Sequence, residues 1–424
     1  MVAILLVIFV IGYAAITLEH TIHINKSATA LITAVLCWTL IVLNAPDSEI
    51  VVESLTHHLS AISEIVFFLL GAMTIVELID AHDGFQSITE SIKTTHKAKL
   101  IWLIAIITFF LSAVLDNLTT TIVMISILNK LIEDKKTKWM LLGLVIIASN
   151  AGGAWSPIGD VTTTMLWIGG QITPLNIVKQ VFFASLVSMA LPTLIVNYLI
   201  KGPITLKPVI ENNLNFNSNV FERNLIFYVG IGCLLFVPIF KTFTHLPPYM
   251  GMLLCLGIIW VVTELLHKKK ADDEKGILSV NHAIRKIDTP SILFFFGILM
   301  AIASLEYVGV LPQMAAYLNS SIGNINLVAV AIGLLSAVFD NVPLVAALQS
   351  MYTLEQYPQD HYFWELLAYT AGTGGSCLII GSAAGVAVMG LEKIDFFWYL
   401  KRISWIALIG YLVGALVFIL QHNL

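Results

Sequence analysis

The chain has 424 residues, of which 58% are hydrophobic and only 12% are charged, and its mean hydropathy is +0.88. This composition excludes an ordinary soluble protein and predicts an integral membrane protein that has lipid as its solvent. The net charge of -5 is small and spread over loops, which argues against a nucleic-acid-binding face.

Apolar stretches recur from one end of the chain to the other. Because the hydrocarbon core offers no water to backbone polar groups, each stretch is predicted to be helical. The first, MVAILLVIFVIGYAAI, lacks the basic start and small-residue exit of a signal peptide, so we expect a retained membrane helix. The apolar segments are residues 2–17, 28–44, 60–79, 100–132, 139–168, 177–200, 224–240, 248–266, 290–307, 324–353, 362–391 and 403–420.

Two motifs occur twice. LSAVLDN at 111–117 returns as LSAVFDN at 335–341, an offset of 224 residues, and the glycines of NAGGAWSPIG return in GTGGSCLIIG at an offset of 222. The same offset superposes the apolar segments of the two halves, which predicts a duplicated unit. The predicted organisation is a first repeat at 1–200, a linker at 201–223 and a second repeat at 224–424. The paired glycines are Gly152, Gly153 and Gly159 with Gly374, Gly375 and Gly381.

Loop charges predict the orientation. Basic residues gather in loops that we expect to be cytoplasmic, and purely acidic loops belong on the opposite side. This assignment gives the first repeat an odd number of crossings, so the second repeat is inverted and both termini face outward. The basic loops lie around 93–99, 130–138, 201–207 and 268–286, and the acidic loops around 45–59 and 354–361.

Each LSAV motif lies inside an apolar stretch that we predict to be a helical hairpin, at about 100–132 and 324–353. Each arm of the first has about 16 residues, roughly 24 Å of helix against a hydrocarbon core of about 30 Å. Both loops that flank the first hairpin are basic, so the chain must return to the side it left. A re-entrant hairpin satisfies both facts, and two full crossings would have the same parity.

The hairpin tips carry the pairs Asp116-Asn117 and Asp340-Asn341. A carboxylate in an apolar segment costs about 2.5–3.5 kcal/mol to insert and usually lines a pathway or pairs with another group. The alternative is that each aspartate only caps a helix arm. Because a cap needs no charge, we favour an ion site.

The helices predicted at about 139–168 and 362–391 meet glycines near the membrane middle, and Pro157 adds to the first break. An unwound segment exposes carbonyls and half-helix ends, and an all-oxygen set suits Na⁺ or Li⁺. Close packing of helices would explain the glycines but not Asp160, whose counterpart in the second half is Ser382. The polar residues around the breaks are Ser149, Asn150, Ser156, Asp160, Thr162, Thr163 and Thr164, with Thr373 and Ser376 in the second half.

Asp116, Asp160 and Asp340 cannot all stay ionised in a cavity that holds no cation, because like charges in a low dielectric oppose one another. A cation and protons would therefore compete for the same oxygens. This competition predicts Na⁺/H⁺ exchange, with the hairpins and broken helices moving against the remaining helices.

The stretches LSAVLDNLTTTIV and SNAGGAWSPIGDVTTTMLWIGGQ resemble the NhaD family of bacterial Na⁺/H⁺ antiporters, within the superfamily that also holds arsenite and dicarboxylate permeases. The resemblance covers essentially the full length. It implies two inverted repeats, each with a re-entrant hairpin and a broken helix, that exchange Na⁺ or Li⁺ for H⁺. A further serine expected shortly after Ser376 is not identified. The matching functional positions are Ser112, Asp116, Asn117, Asn150, Asp160, Thr162, Thr163, Ser336, Asn341 and Ser376.

The predicted site has an ion-binding set and a lesser polar set. Na⁺ or Li⁺ is expected at Asp116, Asn117, Asp160 and Asn341, and Asp340, Asn150, Thr162 and Thr163 complete the cation- and proton-binding set. The lesser polar residues are Ser112, Ser149, Ser156, Thr119, Ser336, Thr373 and Ser376. We expect no cofactor beyond the transported ions and no enzymatic activity. The expected setting is the lipid bilayer of the bacterial cytoplasmic membrane, with a role in pH homeostasis and with a homodimer left open.

Three rivals are weighed against exchange. A carboxylate or arsenite permease would not place three acids around an anion unless cations neutralised them. An intramembrane aspartyl protease would carry G-x-G-D, whereas Pro157-Ile158-Gly159 precedes Asp160. The sequence alone does not distinguish a passive channel from an exchanger.

Glu77 and Glu306 are interpreted as interfacial acids. The four cysteines, Cys37, Cys233, Cys255 and Cys377, are interpreted as packing residues.

Overall fold

The computed structural model describes residues 1–85, 96–200, 219–268, 270, 276–338 and 340–423. Across these ranges the chain is α-helical with no β-strand, and eight helices are long and apolar enough to cross a membrane. The prediction of an all-α polytopic membrane protein is confirmed. Outside the described residues lie most of the predicted linker, at 201–218, and five basic residues of the predicted cytoplasmic loops, Lys93, Lys201, Lys207, Lys269 and Lys275.

The helices are numbered in chain order. Their bounds are α1 Val2–Thr17, α2 Glu19–Ile22, α3 Lys26–Asn44, α4 Ser48–Ala81, α5 Lys97–Leu115, α6 Asn117–Leu131, α7 Lys135–Ala154, α8 Val161–Ile168, α9 Pro174–Leu199, α10 Val220–Thr244, α11 Pro248–Leu266, α12 Val280–Lys286, α13 Thr289–Tyr307, α14 Val310–Ile322, α15 Ile325–Leu335, α16 Asn341–Met351, α17 Tyr362–Gly374, α18 Ala383–Glu392, α19 Phe396–Tyr399 and α20 Trp405–Asn423.

Helix α4 begins much earlier than its apolar segment. The side chain of Asp47 caps it by accepting a hydrogen bond from the Glu49 amide at 2.9 Å. The predicted acidic loop at 45–59 is therefore wrong over most of its length. Acidic residues favour a helix N-terminus through the helix dipole, and a hydropathy window does not register that preference.

Both hairpins consist of two helices, which meet at Asp116-Asn117 in the first, whereas in the second α15 ends at Leu335 and α16 begins at Asn341. Asp116 has φ 87°, a left-handed value that ends α5, and its side chain caps α6. In the second hairpin Asp340 caps α16 by accepting a hydrogen bond from the Val342 amide at 3.3 Å. Both arms of the first hairpin pack on α7. The re-entrant course of the hairpins stays a prediction.

Two long helices are interrupted at the predicted glycine motifs. Residues 155–160 separate α7 from α8, and a 3₁₀ turn at Gly375–Cys377 follows α17 before α18 begins. The helix that follows each break begins with a side-chain cap. Asp160 Oδ1 accepts a hydrogen bond from the Thr162 amide at 2.9 Å, and Ser382 Oγ accepts one from the Gly385 amide at 3.2 Å. The breaks thus direct two helix N-termini towards the middle of the protein.

The glycines allow equivalent close contacts in the two halves. A Cβ atom on Gly152 would lie 2.2 Å from the carbonyl oxygen of Phe109, and one on Gly374 would lie 1.9 Å from that of Gly333. The partners are 222 and 224 residues apart, the offsets of the sequence motifs. These paired contacts support the duplicated unit, whereas the repeat boundaries and the inversion stay predictions.

The helices pack as two groups. The inner group is α5 to α9 with α15 to α18 and α20, and in it α9 packs on α20 and each hairpin packs on its broken helix. The outer group is α1, α3, α4, α10, α11 and α13, and in it α3 packs on α13 and α4 on α11. The predicted site residues all lie in the inner group or at its hairpin tips.

Candidate ion-binding site

Asp160 is the buried centre of the site, with 1% of its surface exposed. Its Oδ1 accepts hydrogen bonds from the Thr162 amide at 2.9 Å and from Thr162 Oγ1 at 2.7 Å. Its Oδ2 accepts one from Asn117 Nδ2 at 2.7 Å. The chain folds this way because the break before α8 leaves free amides that the carboxylate caps.

Asn117 links Asp160 to the second half of the molecule. Its Nδ2 also donates to Asn150 Oδ1 at 3.0 Å. Asn150 Nδ2 then donates to Ser376 Oγ and to Ser382 Oγ, both at 2.9 Å. A hairpin tip and both broken helices therefore meet in one polar cluster, formed by Asn117, Asn150, Asp160, Ser376 and Ser382, which we call the central cluster.

Ser382 was not predicted as a site residue, although the resemblance implied a further serine shortly after Ser376 that the sequence analysis did not identify. Ser382 lies 222 residues after Asp160, so it holds the same capping position in the second half. That offset was the available signal. A neutral serine replaces the carboxylate, so the negative charge of the central cluster comes from the first half.

The carboxylate of Asp116 makes its hydrogen bonds outside the central cluster. Its Oδ1 accepts from the Thr119 amide at 2.8 Å and its Oδ2 from Thr119 Oγ1 at 2.9 Å. It borders a cavity of about 20 Å³ whose wall is mostly apolar, including Phe68 and Met73 of α4. This volume holds about one water molecule. Asp116 is still close enough to Asp160 for their charges to interact.

Most of the lesser polar residues hold the hairpins on the broken helices. Ser112 Oγ donates to the Ser149 carbonyl at 2.6 Å, and Ser156 Oγ donates to the Ala113 carbonyl at 2.5 Å. In the second half Ser336 Oγ donates to the Ala371 carbonyl at 3.2 Å. Further contacts join Thr121 Oγ1 to Ser149 Oγ at 3.1 Å and Thr373 Oγ1 to the Tyr369 carbonyl at 2.6 Å.

Two buried threonine hydroxyls near the central cluster have no hydrogen-bond partner among the described residues. They are Thr163 Oγ1, three residues after Asp160, and Thr120 Oγ1, three residues after Asn117. Residues three apart on a helix lie on neighbouring positions of one face. A buried hydroxyl without a partner is costly, so these oxygens are suited to contact a ligand.

The second hairpin tip contributes less to the central cluster. Asp340 Oδ2 lies 3.1 Å from Lys26 Nζ, and Asp340 is close enough to Asp160 for their charges to interact. Asn341 is buried as the first residue of α16. Of the four predicted Na⁺ ligands, the structure joins Asn117 and Asp160 by a hydrogen bond. Asp116 and Asn341 lie at the two hairpin tips.

The interfacial acids pair with neighbours outside the central cluster. Glu77 Oε1 lies 3.6 Å from Lys286 Nζ, and Glu306 Oε2 accepts a hydrogen bond from Ser350 Oγ at 2.7 Å. Neither contacts the central cluster through these bonds, and their position at the membrane interface stays a prediction.

A helical membrane protein in which two interrupted helices and a hairpin tip meet at a buried acidic centre has the architecture of a secondary transporter. The chain matches the model of the citrate transporter family, CitMHS, over residues 4–372 and belongs to that family. It is 49% identical to sodium/proton antiporter 1 of Arabidopsis thaliana, over 98% of this chain and 72% of that one. It is 30% identical to the Na⁺/H⁺ antiporter NhaD of Vibrio cholerae, over 99% of this chain and 91% of that one. The resemblance to the NhaD antiporters is thereby confirmed.

Proposed function

We propose that this protein exchanges Na⁺ for H⁺ across a membrane by alternating access, without enzymatic activity. The observation that carries the proposal is the central cluster, where one carboxylate and neutral oxygens meet at the break of two helices. Hard oxygen ligands of this kind suit Na⁺ or Li⁺. Relatives named as sodium/proton antiporters support the same activity.

Two interacting carboxylates give a means of coupling the cation to the proton. Asp116 and Asp160 lie in a low dielectric and their charges interact. A buried charge needs compensation, which a bound cation or a proton can supply. We assign Asp160, with Asn117 and the hydroxyls of Thr162 and Thr163, to the cation. Asp116, which borders the water-sized cavity, is assigned to the proton.

The family description names a citrate transporter, and a citrate site is the second candidate. Citrate carries several negative charges and would need cationic partners. The polar groups that the structure joins in the central cluster are amides, hydroxyls and a carboxylate, while Lys26 is paired with Asp340. Cation exchange therefore fits these residues better than citrate binding.

The setting completes the proposal. The bacterial NhaD relatives support the cytoplasmic membrane. The loop charges support termini that both face outward, and the oxygen ligands support Li⁺ as an alternative cargo. A homodimer stays a prediction.

The test is Na⁺-dependent dissipation of a pH gradient in everted membrane vesicles, with Asp116→Asn compared with wild type. We expect Na⁺ and Li⁺ to dissipate the gradient and Asp116→Asn to slow this at least about tenfold, because the amide cannot carry a proton at physiological pH. Asp47→Asn, a change at an exposed helix cap, is the matched control and should retain the activity. Citrate uptake by a protein in which Na⁺ and Li⁺ move no protons would contradict the proposal.

A further inference from the structure

The two Asp-Asn tips differ in their electrostatic partners. Asp340 Oδ2 accepts a hydrogen bond from Lys26 Nζ at 3.1 Å, and the side chains of Lys26 and Asp340 are 27% and 23% exposed. An ion pair this sheltered from solvent is screened less than a surface pair, so the loss of one partner is felt by the other.

Lys26 is positioned by contacts with α2 and with α13 of the outer group. Lys26 is the first residue of α3, and its backbone amide donates to Glu19 Oε1 at 3.1 Å. Its Nζ also lies 4.2 Å from the centre of the Phe294 ring on α13, a cation–π contact. Asp340, by contrast, belongs to a hairpin tip of the inner group. The ion pair therefore crosses the boundary between the two groups of helices.

The first tip has no equivalent lysine. Adding the repeat offsets of 222 and 224 to position 26 gives positions 248–250, which are Pro248, Tyr249 and Met250. Asp116 instead bonds to Thr119 on its own helix and borders the cavity. One aspartate therefore has a resident cation, and the other has room for a mobile one.

We propose that Lys26 is the permanent counter-cation of Asp340 and that their ion pair latches the second hairpin tip to the outer group. This proposal rests on the proposed function, because the latch must open each time the inner group moves. It also gives Asp340 a different role from the predicted one. Asp340 is then a partner of Lys26 rather than a ligand of Na⁺, and the transported cation binds on the first-half side.

A double-mutant cycle on purified protein in proteoliposomes tests the latch. Lys26→Gln and Asp340→Asn should each slow Na⁺/H⁺ exchange about tenfold, because each leaves a sheltered charge without its partner. The double variant should be faster than either single variant and within about threefold of wild type. Lys26→Arg keeps the charge and should exchange faster than Lys26→Gln.

Two outcomes would overturn the latch. If Asp340 is itself an ion ligand, Asp340→Asn and the double variant will be equally inactive. The melting temperatures of the same four variants in detergent give a readout that needs no transport: strictly additive losses would show that the two side chains are not coupled. A wild type without Na⁺-dependent proton movement would instead refute the proposed function, while the melting temperatures would still test the pair.

Discussion

Asn117 donates two hydrogen bonds from one amide nitrogen, to Asp160 Oδ2 at 2.7 Å and to Asn150 Oδ1 at 3.0 Å. Its position follows from Asp116, whose left-handed φ turns the chain at the hairpin tip. The two adjacent residues therefore belong to different sites: Asp116 borders the cavity, whereas Asn117 belongs to the central cluster. A change at Asn117 is felt in both halves, because Asn150 contacts Ser376 and Ser382.

His82 gives the protein a pH-dependent stability outside the ion site. It follows α4, is fully buried, and stacks on His267 with ring centres 5.1 Å apart. Burial lowers the pKa of His82 from 6.5 to about 4, and the nearby His267 and Lys270 lower it further. The hydrogen bond to the Leu78 carbonyl and the charge of Glu222 act in the opposite direction.

The sign follows from proton linkage. Between about pH 6.5 and pH 4, His82 is protonated in the unfolded chain but neutral in the folded protein. The free energy of unfolding therefore falls as the pH drops through this range. The loss is on the order of 3 kcal/mol, at about 1.4 kcal/mol per unit. Melting temperatures in detergent should fall over this window, and His82→Phe should flatten the fall. His57→Phe, a change at an exposed histidine, should leave the fall unchanged. Equal falls of the melting temperature with pH in wild type and both variants would contradict this account.

Sequence reasoning identified the chemically distinctive residues. Asp160, Asn117 and Asn150 stand out because polar groups are costly in apolar segments. It missed Lys26 and the stacked histidines, because their roles depend on which helices meet in three dimensions. The sequence around Lys26 does not indicate that α3 contacts a hairpin tip 314 residues away.

The contacts between each hairpin and its broken helix depend on glycine. At Gly152 the backbone of α7 approaches that of α5 so closely that a Cβ atom would lie 2.2 Å from a carbonyl oxygen. Backbone cannot turn aside as a flexible side chain can, so an added methyl group must push the helices apart. Serine hydroxyls then fix the two elements together through backbone carbonyls.

Gly152→Ala should therefore lower the melting temperature by several degrees and slow exchange, since overpacking costs about 1–3 kcal/mol. Gly257→Ala is the matched control. A Cβ atom at Gly257, on the exposed face of α11, meets no atom within 4 Å. Alanine favours a helix by about 1 kcal/mol over glycine, so the control should be neutral or slightly stabilising. Identical behaviour of the two variants would mean that the close approach is not needed.

At the level of elements, hydropathy and glycine patterns predicted both hairpins and both broken helices. Two elements escaped this reasoning. The first turns of α4 are polar, and α14 lies between two of the predicted apolar segments. Caps and tertiary packing stabilise such segments, and a sliding hydropathy window does not measure either contribution.

In the whole molecule, the inner and outer groups meet through apolar packing and polar contacts, among them the bond from Ser350 to Glu306 and two lysine contacts. Lys26 reaches Asp340, and Lys241 on α10 donates to the Trp167 carbonyl at the end of α8 at 3.1 Å. Both contacts join an outer helix to an inner element that bears on the ion site. Alternating access would require the inner group to exchange these contacts while the central cluster stays intact.

The most direct test of cation exchange is Na⁺ uptake into proteoliposomes, driven only by an acidic interior. We expect rapid uptake by wild type and by Asp134→Asn, which changes an exposed helix cap that asparagine can also provide. Asp160→Asn preserves the cap of α8 in the same way but removes the charge, so uptake should fall at least about tenfold. Uptake that persists without the pH gradient, or that is unchanged in Asp160→Asn, would contradict the account.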